Sequence, residues 1–412
     1  VKYVRPNETL LLPTSCVSDG GNDGSYGAPP GALYSKPTDV VLSQSEDASL
    51  ELTLDSEEPV PESPGCSGYG ADTEYVKTVS VDSKRLEEFW GAPMKLEACV
   101  LLPFGFDDHP DARYPLVIAH GHYSAVFAPG GRFDPTPPSE NLTGYDYVDQ
   151  LYANYLYNNW TSSDPSSPFY KARMLVATIN HPVPFFDDSY AVDSVNVGPY
   201  GAAILEDLIP EIERLYRGIG AGWARGVFGG STGGWISLAT QVLYPDDYNA
   251  AAVACPDPIA FTSYATVNVY DSKNGYYYDS DFKKTPRPGA RDAYSGTTVI
   301  PGTTTPTFGI PRGDTQATIE EMNRRENVLG PLGGSCGQWN IWEAVFSPKG
   351  PDGLPAPIWC KGDRTDDACE YGAIDPDVAA YWQENFDLLY RLQRDWTSAG
   401  LNAKLDFGAK LQ

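Results

Sequence analysis

The sequence predicts an α/β fold built on a doubly wound, mostly parallel sheet. Three observations predict it: short apolar runs typical of buried strands, helical patterns between those runs, and one glycine-rich turn that joins a strand to a helix. Strands that alternate with helices in this way are typical of parallel sheets covered by helices.

The strand predictions follow from two kinds of pattern. Residues 74–81 alternate apolar and polar side chains, as a half-exposed strand does, and a second run at 96–102 ends at Pro103. Other runs are continuously apolar, which is typical of strands buried on both faces. These runs are 114–119, 174–179, 226–228 and 250–255, and one more strand is predicted to open at 403–407.

Helices are predicted between and after these runs. Residues 201–216 carry apolar side chains at helical spacing, and 375–398 does so after an Asp375-Pro376 start. Shorter helical stretches are predicted at 146–157, 235–243 and 318–327.

Three segments lie outside this alternation. Residues 1–72 are rich in Pro, Gly, Ser and acid, with a weak strand signal at 48–54, and are predicted to form an extended N-terminal arm. Residues 73–412 form the main domain, and 257–370 is an insertion rich in Tyr and Trp. An insertion of this length predicts a lid, although a packed surface excursion filled with aromatic rings stays open. The C-terminal strands of the sheet are expected to be missing, since the chain stops soon after 403–407.

Composition restricts the partners. The 412 residues carry a net charge of -26, which excludes a polyanion such as nucleic acid and favours neutral or cationic substrates. No apolar run is long enough to span a membrane. The start at Val1 and three glycosylation sequons, at Asn7, Asn141 and Asn159, predict a secreted glycoprotein whose leader has been removed.

Seven cysteines fit an oxidising compartment. Cys99 and Cys255 lie in apolar strand-like runs and are predicted to be buried thiols. Pairs of Cys16 with Cys66 and of Cys360 with Cys369 are plausible, while Cys336 adds to an odd count. No cofactor or metal site is predicted, because the histidines lack ligand spacing and no Cys-x-x-Cys occurs.

The turn that joins strand to helix carries the chemistry. Residues 229–234 read GGSTGG, and a Gly-x-Ser-x-Gly turn after a strand and before a helix is the nucleophile-elbow pattern of the α/β-hydrolases. Ser231 is the predicted nucleophile. The flanking glycines are expected because side chains there would clash with the strand and helix packed behind the serine.

A serine nucleophile also needs donors for the oxyanion, a base and an acid. The predicted donors are the backbone N–H groups of Thr232 and His122. The acid is either Asp257, after the next strand, or Asp406. All four histidines precede Ser231 in the chain, and His120 is expected to be a structural imidazole, so the usual base is absent.

Several motifs resemble the esterase D-like, or feruloyl esterase-like, branch of the α/β-hydrolases. The resemblance covers roughly residues 73–407. Its motifs are SKRLEEFWGAP at 83–93, LLPFGF at 101–106, YP at 114–115, HGH at 120–122, DDSYAV at 187–192, GPYG at 198–201 and the GGSTGG turn.

The resemblance implies an esterase in which Ser231 is the nucleophile, with Gly121, His181, Asp188 and Tyr190 near the substrate pocket. The family's acid follows the strand that begins at Leu405, and its histidine lies further on, in a Gly-His segment. This chain departs from the family in lacking both.

Two functions are therefore predicted. The first is a secreted serine esterase acting on a small-molecule or carbohydrate-linked ester. The second is a catalytically inactive glycoprotein with a structural or binding role. The missing histidine has three explanations: a missing C-terminal part, a second polypeptide that supplies it, or an inactive site.

Overall fold

The computed structural model describes residues 33–34, 56–57, 66, 72–121, 133–184, 186–280, 282–291, 315–329, 335, 337–361 and 370–398. The chain divides into two compact units. The sheet unit comprises the described residues within Pro59–Ile259, and the aromatic unit comprises those within Ala32–Glu58 and Ala260–Gln412. The predicted strands at 48–54 and 403–407 lie outside the described residues.

The sheet unit is built on six strands in the order β6-β5-β3-β4-β2-β1. Strands β3 to β6 are parallel to one another, and β2 is antiparallel to both β1 and β4. The mostly parallel sheet is thus confirmed. The strands are β1 (Val76–Asp82), β2 (Lys95–Leu101), β3 (Leu116–His120), β4 (Leu175–Asn180), β5 (Arg225–Gly230) and β6 (Ala250–Ala254).

The register of the parallel strands decides which loops meet. Gly229 of β5 lies opposite His120 of β3, and Gly230 lies opposite Ala254 of β6. Since these strands run in the same direction, their carboxyl ends lie level at one edge of the sheet. The residues that follow β3, β5 and β6 are therefore neighbours.

The helices of the sheet unit are α1 (Lys84–Trp90), α2 (Gly144–Trp160), α3, and α4 (Thr232–Leu243). Helix α3 consists of Tyr200–Ala203 and Ile209–Leu215, with a π-helical turn, Ile204–Leu208, between them. Helix α1 lies within a motif used for the resemblance but was not predicted as a helix. Its start has a cap, because the Ser83 hydroxyl accepts a hydrogen bond from the Leu86 N–H at 3.4 Å.

Short elements complete the sheet unit. A 3₁₀ turn, Gly222–Ala224, precedes β5. Two-residue antiparallel pairs join Pro182–Val183 with Asp187–Asp188, and Asp193–Ser194 with Gly198–Pro199.

The disulfide pattern differs from the prediction. Cys66 is bonded to Cys99, with the Cα atoms 5.3 Å apart, so the predicted pairing of Cys16 with Cys66 is wrong and Cys99 is not a thiol. A strand position that is apolar and buried suits a half-cystine as well as a thiol, so burial did not separate the two. Cys360 is also disulfide-bonded, while Cys16, Cys336 and Cys369 lie outside the described residues.

The prediction of a buried Cys255 thiol is also wrong, because this free cysteine is exposed. It follows β6, which lies at the end of the described sheet order, beside β5. Val253 of the same strand is 37% exposed. An apolar run thus predicted the strand correctly but not its position at the edge of the described sheet.

The aromatic unit contains helices α5 (Ile319–Leu329), α6 (Gln338–Phe346), α7 (Pro376–Asn385) and α8 (Leu388–Ser398). A single helix was predicted over 375–398, but the buried Asp387 interrupts it. The Asp387 carboxylate accepts from the Tyr390 N–H at 2.9 Å and from the Phe261 N–H at 2.8 Å, so it starts α8 and anchors a distant turn. Helix α6 was not predicted.

Aromatic rings form the core of this unit. Tyr264 is fully buried, and its ring centroid lies 4.9–5.5 Å from those of four tryptophans, Trp339, Trp342, Trp359 and Trp382. Most of the aromatic residues that suggested a lid surface are therefore packed inside, as the alternative of aromatic filler expected. The lid itself stays a prediction.

The remaining elements are short. They are a 3₁₀ turn, Phe261–Ser263, and antiparallel pairs of Leu33–Tyr34 with Ser56–Glu57, Tyr277–Tyr278 with Thr285–Pro286, Pro288–Arg291 with Thr315–Thr318, and Cys360–Lys361 with Glu370–Tyr371. In the described ranges, no helix has both the length and the apolar character needed to cross a bilayer.

Candidate active site

Ser231 occupies the turn between β5 and α4. Its backbone angles are φ 55° and ψ −121°, a conformation that L-residues seldom adopt, and its side chain is exposed. Such a backbone costs on the order of 1–3 kcal/mol and persists only where the surrounding structure holds it. A strained serine between a parallel strand and a helix has the geometry of a nucleophile elbow.

Close packing requires three of the four glycines around Ser231, whereas a Cβ on Gly230 would have its nearest neighbour at 3.7 Å, so the predicted clash does not occur there. A Cβ atom on Gly229 would lie 2.4 Å from the Gly233 carbonyl oxygen, and one on Gly233 would lie 2.0 Å from the His120 carbonyl oxygen. A Cβ on Gly234 would lie 2.7 Å from the Ala254 carbonyl oxygen. These separations bring the start of α4 directly against the ends of β3 and β6.

Asp257 is the charged residue that contacts the serine. The Ser231 hydroxyl donates to Asp257 Oδ1 at 3.4 Å, while Thr232 Oγ1 and the Tyr190 hydroxyl donate to Oδ2 at 2.9 and 2.8 Å. The backbone also joins the two segments, since the Asp257 N–H donates to the Ser231 carbonyl at 3.2 Å and the Ser231 N–H donates to the Ala254 carbonyl at 3.0 Å. Asp257 is thus fixed to the elbow through side chain and backbone.

This geometry differs from that of an assembled Ser-His-Asp triad. An imidazole that joined serine to acid would hold their oxygen atoms roughly 7 Å apart, since it adds its own width to two hydrogen bonds of about 2.8 Å. At 3.4 Å, Asp257 contacts the hydroxyl with no room for a ring between them. In the described residues, the only side-chain partner of the Ser231 hydroxyl is this carboxylate.

Of the two oxyanion donors predicted from sequence, Thr232 lies among the described residues. Thr232 is the first residue of α4, so its N–H lies at the helix N-terminus, where the peptide dipole favours negative charge. Gly121 directly follows β3 and is exposed. Its nitrogen lies 3.0 Å from the position of a Cβ on Gly233, so the end of β3 lies against the start of α4. His122, the second predicted donor, lies outside the described residues.

The described histidines do not contact Ser231. His120 is buried, and neither of its ring nitrogens has a hydrogen-bond partner among the described residues. Burial, with a smaller contribution from the charge of His181, lowers the pKa of His120 to about 3, so it stays neutral. A hydrogen-bonded structural imidazole was expected at this position, and the described residues supply no such bond, so its structural role stays a prediction. His109 is exposed in the segment after β2.

His181, Asp188 and Tyr190, expected near the substrate pocket, are all fully buried. His181 Nδ1 lies 2.9 Å from the Ser189 hydroxyl and 3.6 Å from Asp188 Oδ1. Tyr190 packs edge-on against Trp235 of α4, with ring centroids 5.4 Å apart. A role in substrate contact stays a prediction for these residues.

The contact between Tyr190 and Asp257, which are 67 positions apart, could not be predicted from the sequence. The neighbouring Thr232 could have been suspected, since its hydroxyl directly follows the nucleophile in GGSTGG. Among the described residues, no group of three or more His, Cys, Asp or Glu side chains is arranged to hold a metal ion.

Comparison with known proteins gives limited information. No protein-family model matches the chain, and no curated protein matches it. Solved structures that resemble it include a ferulic acid esterase, 19% identical, with a TM-score of 0.29, and an S-formylglutathione hydrolase from Agrobacterium tumefaciens, 13% identical, with a TM-score of 0.31. Another is the siderophore hydrolase EstB from Aspergillus nidulans, 15% identical, with a TM-score of 0.30.

These matches are partial on both sides. They cover 43%, 47% and 46% of this chain and 57%, 62% and 60% of the respective structures. Similarity at this level does not establish a shared activity. The function proposed below therefore depends on the geometry of this chain.

Proposed function

We propose that this chain is a secreted serine esterase that hydrolyses a carboxylic ester through an acyl-enzyme on Ser231. The observation that carries the proposal is the exposed serine with φ 55° and ψ −121° between β5 and α4. Strain of this kind is characteristic of a nucleophile presented at the edge of a sheet.

The chemistry would proceed in two stages. The Ser231 oxygen attacks the ester carbonyl carbon while a base takes the hydroxyl proton, and the alcohol leaves with a proton. Water then attacks the acyl-enzyme and regenerates the serine. The Thr232 N–H and the N–H of the residue after Gly121 would stabilise the oxyanion formed in each stage, each donor contributing about 3 kcal/mol.

The group that would accept the Ser231 proton is the open part of this mechanism. Asp257 is the acid proposed here, and its contact with the Ser231 hydroxyl orients that group. The resemblance implies a histidine, and none follows Ser231 in these 412 residues, so an imidazole from outside them, such as one from a second polypeptide, would be the base.

The substrate is proposed to be neutral or cationic near the scissile bond. Asp257 places a carboxylate beside the attacking oxygen, and the chain carries a net charge of -26. Both would repel an anionic ester. Stacking of an aryl or sugar group would need exposed rings. Among the described aromatic residues of the insertion, Phe282 is 98% and Tyr278 42% exposed, whereas Tyr264, Tyr276 and Trp359 are buried.

A fluorophosphonate probe tests the proposal, because it labels an activated serine covalently. We expect labelling of the protein purified from its native source, and loss of labelling in Ser231→Ala. Ser80→Ala is the matched control, since Ser80 is an exposed serine of the same unit on β1, and it should label like the wild type. Absence of labelling in the intact native protein would refute the esterase.

The same probe locates the base. Labelling of the native protein combined with no labelling of the isolated 412-residue chain would place the base outside these residues. Labelling of both at equal rates would mean that groups within the chain, Asp257 among them, are sufficient.

The second candidate is a catalytically inactive glycoprotein on the same fold. It is favoured by one observation: His120 and His181 are buried and do not contact Ser231, and no histidine follows the serine in these 412 residues. The sequons agree with a glycoprotein, since Asn141 is exposed and Asn159 is partly exposed on α2, while Asn7 lies outside the described residues. Intact mass before and after glycan removal would test glycosylation and reveal any additional polypeptide.

A further inference from the structure

We propose that Tyr190, together with Thr232, is a positioning residue that holds the Asp257 carboxylate against Ser231. The inference rests on the proposed esterase function, because it assigns how that site is held in place. Resemblance alone put Tyr190 near the substrate, whereas its full burial and its contacts assign it a different role.

The two oxygen atoms of Asp257 have different tasks. Oδ1 faces the Ser231 hydroxyl at 3.4 Å, and Oδ2 accepts from the Tyr190 hydroxyl at 2.8 Å and from Thr232 Oγ1 at 2.9 Å. The Tyr190 and Thr232 oxygens are themselves 3.3 Å apart. Two donors that converge on one oxygen restrict rotation of the carboxylate and so keep the other oxygen toward the serine.

Tyr190 is suited to act as a permanent donor. Burial, followed by the nearby charges of Asp257 and Asp188, raises the pKa of Tyr190 well above its ordinary value. The phenol therefore keeps its proton throughout the range in which an esterase is assayed. An ionised carboxylate can only accept, so the direction of this hydrogen bond is fixed.

The segment that carries Tyr190 is strained and firmly held. Asp187, Tyr190 and Ala191 have φ values of 79°, 52° and 51°, each unfavourable for a residue with a side chain. Two side chains fix this backbone: Asp188 Oδ1 accepts from the Tyr190 N–H at 2.8 Å, and the Ser189 hydroxyl accepts from the Ala191 N–H at 3.1 Å.

Buried neighbours support this segment in turn. His181 lies 2.9 Å from the Ser189 hydroxyl, and Trp235 packs on the Tyr190 ring. The strain is thus offset by a rigid buried support. The result of this arrangement is that a phenol hydroxyl reaches the carboxylate beside the nucleophile.

Tyr190→Phe tests the inference, because it removes the hydroxyl and keeps the ring on Trp235. We expect the rate of fluorophosphonate labelling of Ser231 to fall roughly tenfold, as for loss of a hydrogen bond to a charged group. Tyr200→Phe is the matched control. Tyr200 is also fully buried in the sheet unit, but its hydroxyl donates to the Pro182 carbonyl. Removal of this hydroxyl should leave the labelling rate of Ser231 unchanged when the two variants are compared at equal melting temperatures.

Dependence on Asp257 separates positioning from packing. In an Asp257→Ala background, Tyr190→Phe should have no further effect, because the group that it positions is gone. Thr232→Val, which removes the other donor to Oδ2, should behave in the same way. An equal loss in both backgrounds, or no loss in either, would overturn the inference.

A crystal structure of Tyr190→Phe gives a readout that does not depend on activity. We expect the Asp257 carboxylate to rotate away from Ser231, and an unchanged Ser231–Asp257 contact would overturn the inference even if labelling fell. The two proposals can fail separately. Absent labelling of the native wild-type protein refutes the esterase, whereas a labelled wild type with an equally labelled Tyr190→Phe refutes the role of Tyr190.

Discussion

The close packing of the turn at residues 229–234 makes Gly233→Ala a demanding test of the structure. A methyl group at this position would lie 2.0 Å from the His120 carbonyl oxygen and 3.0 Å from the Gly121 nitrogen, whereas real Cβ contacts are essentially never below 3.0 Å. Both obstacles are backbone atoms of β3 and the residue that follows it. They cannot turn aside as a flexible side chain would, so the strand end or the helix start must shift.

The expected cost follows from two opposing terms. Alanine within a helix is favoured over glycine by about 1 kcal/mol, while overpacking against a fixed neighbour costs about 1–3 kcal/mol and occasionally more. Because the overlap here is with backbone, we expect the unfavourable term to exceed this range and the net loss to be about 3 kcal/mol. For a unit the size of Pro59–Ile259, this corresponds to a fall in melting temperature of roughly 6–12 °C.

Gly226→Ala in β5 is the matched control. A Cβ there would have its nearest neighbours at 3.7 and 3.9 Å, which is ordinary contact, and alanine in a strand is favoured by roughly 0.5–1 kcal/mol over glycine. Calorimetric unfolding should therefore show a lower melting temperature for Gly233→Ala and no decrease for Gly226→Ala. Equal melting temperatures for the two variants would mean that α4 does not lie against β3 as described.

Two further predictions concern buried charges. Glu213→Ala should lower the free energy of unfolding by about 3 kcal/mol, because the buried Arg225 would lose two hydrogen bonds of 2.8 Å and keep a longer contact of 4.0 Å with Asp247. Denaturant unfolding measures this, and Glu211→Ala, at an exposed pair of the same helix, should change nothing. Burial raises the pKa of Glu326 from 4.5 to about 7, so the folded protein binds a proton at this carboxyl more tightly than the unfolded chain does. The stability that this proton contributes is fully present below pH 4.5 and is lost as the pH rises through 7. The free energy of unfolding measured in urea should fall by about 3 kcal/mol over that range. The Glu326→Gln variant should lose this pH dependence, and identical pH profiles for both proteins would contradict the raised pKa.

The sheet could be predicted from sequence because burial on both faces leaves a local record. Continuous apolar runs identified β3 to β6 within a few residues, and the GGSTGG pattern identified the turn. An apolar run does not indicate which other strands pair with it. The position of β6 at the edge of the described sheet, and with it the exposure of Cys255, depends on which other segments pair with it.

Long-range contacts were the part of the site that sequence could not supply. Tyr190 and Asp257 are far apart in the chain, and neither pattern nor spacing joins them. The Cys66–Cys99 bond was missed for the same reason. Two further features do have local sequence signals. Ser83 precedes a helix-forming stretch and Asp387 lies within one, and as ordinary capping residues they account for the start of α1 and the interruption before α8.

The distribution of strain bears on whether the site is active. Ser231 and the segment Asp187, Tyr190 and Ala191 hold unfavourable backbone conformations, each costing on the order of 1–3 kcal/mol. The two strained segments meet at a single carboxylate, that of Asp257. A scaffold with only a structural role would gain stability by relaxing either of them, because nothing in its function would depend on where the serine hydroxyl points. Convergence of both on the same polar contact, with the hydroxyl exposed, is therefore better explained by a serine that is still used than by an inactive site, and it supports the esterase over the structural alternative.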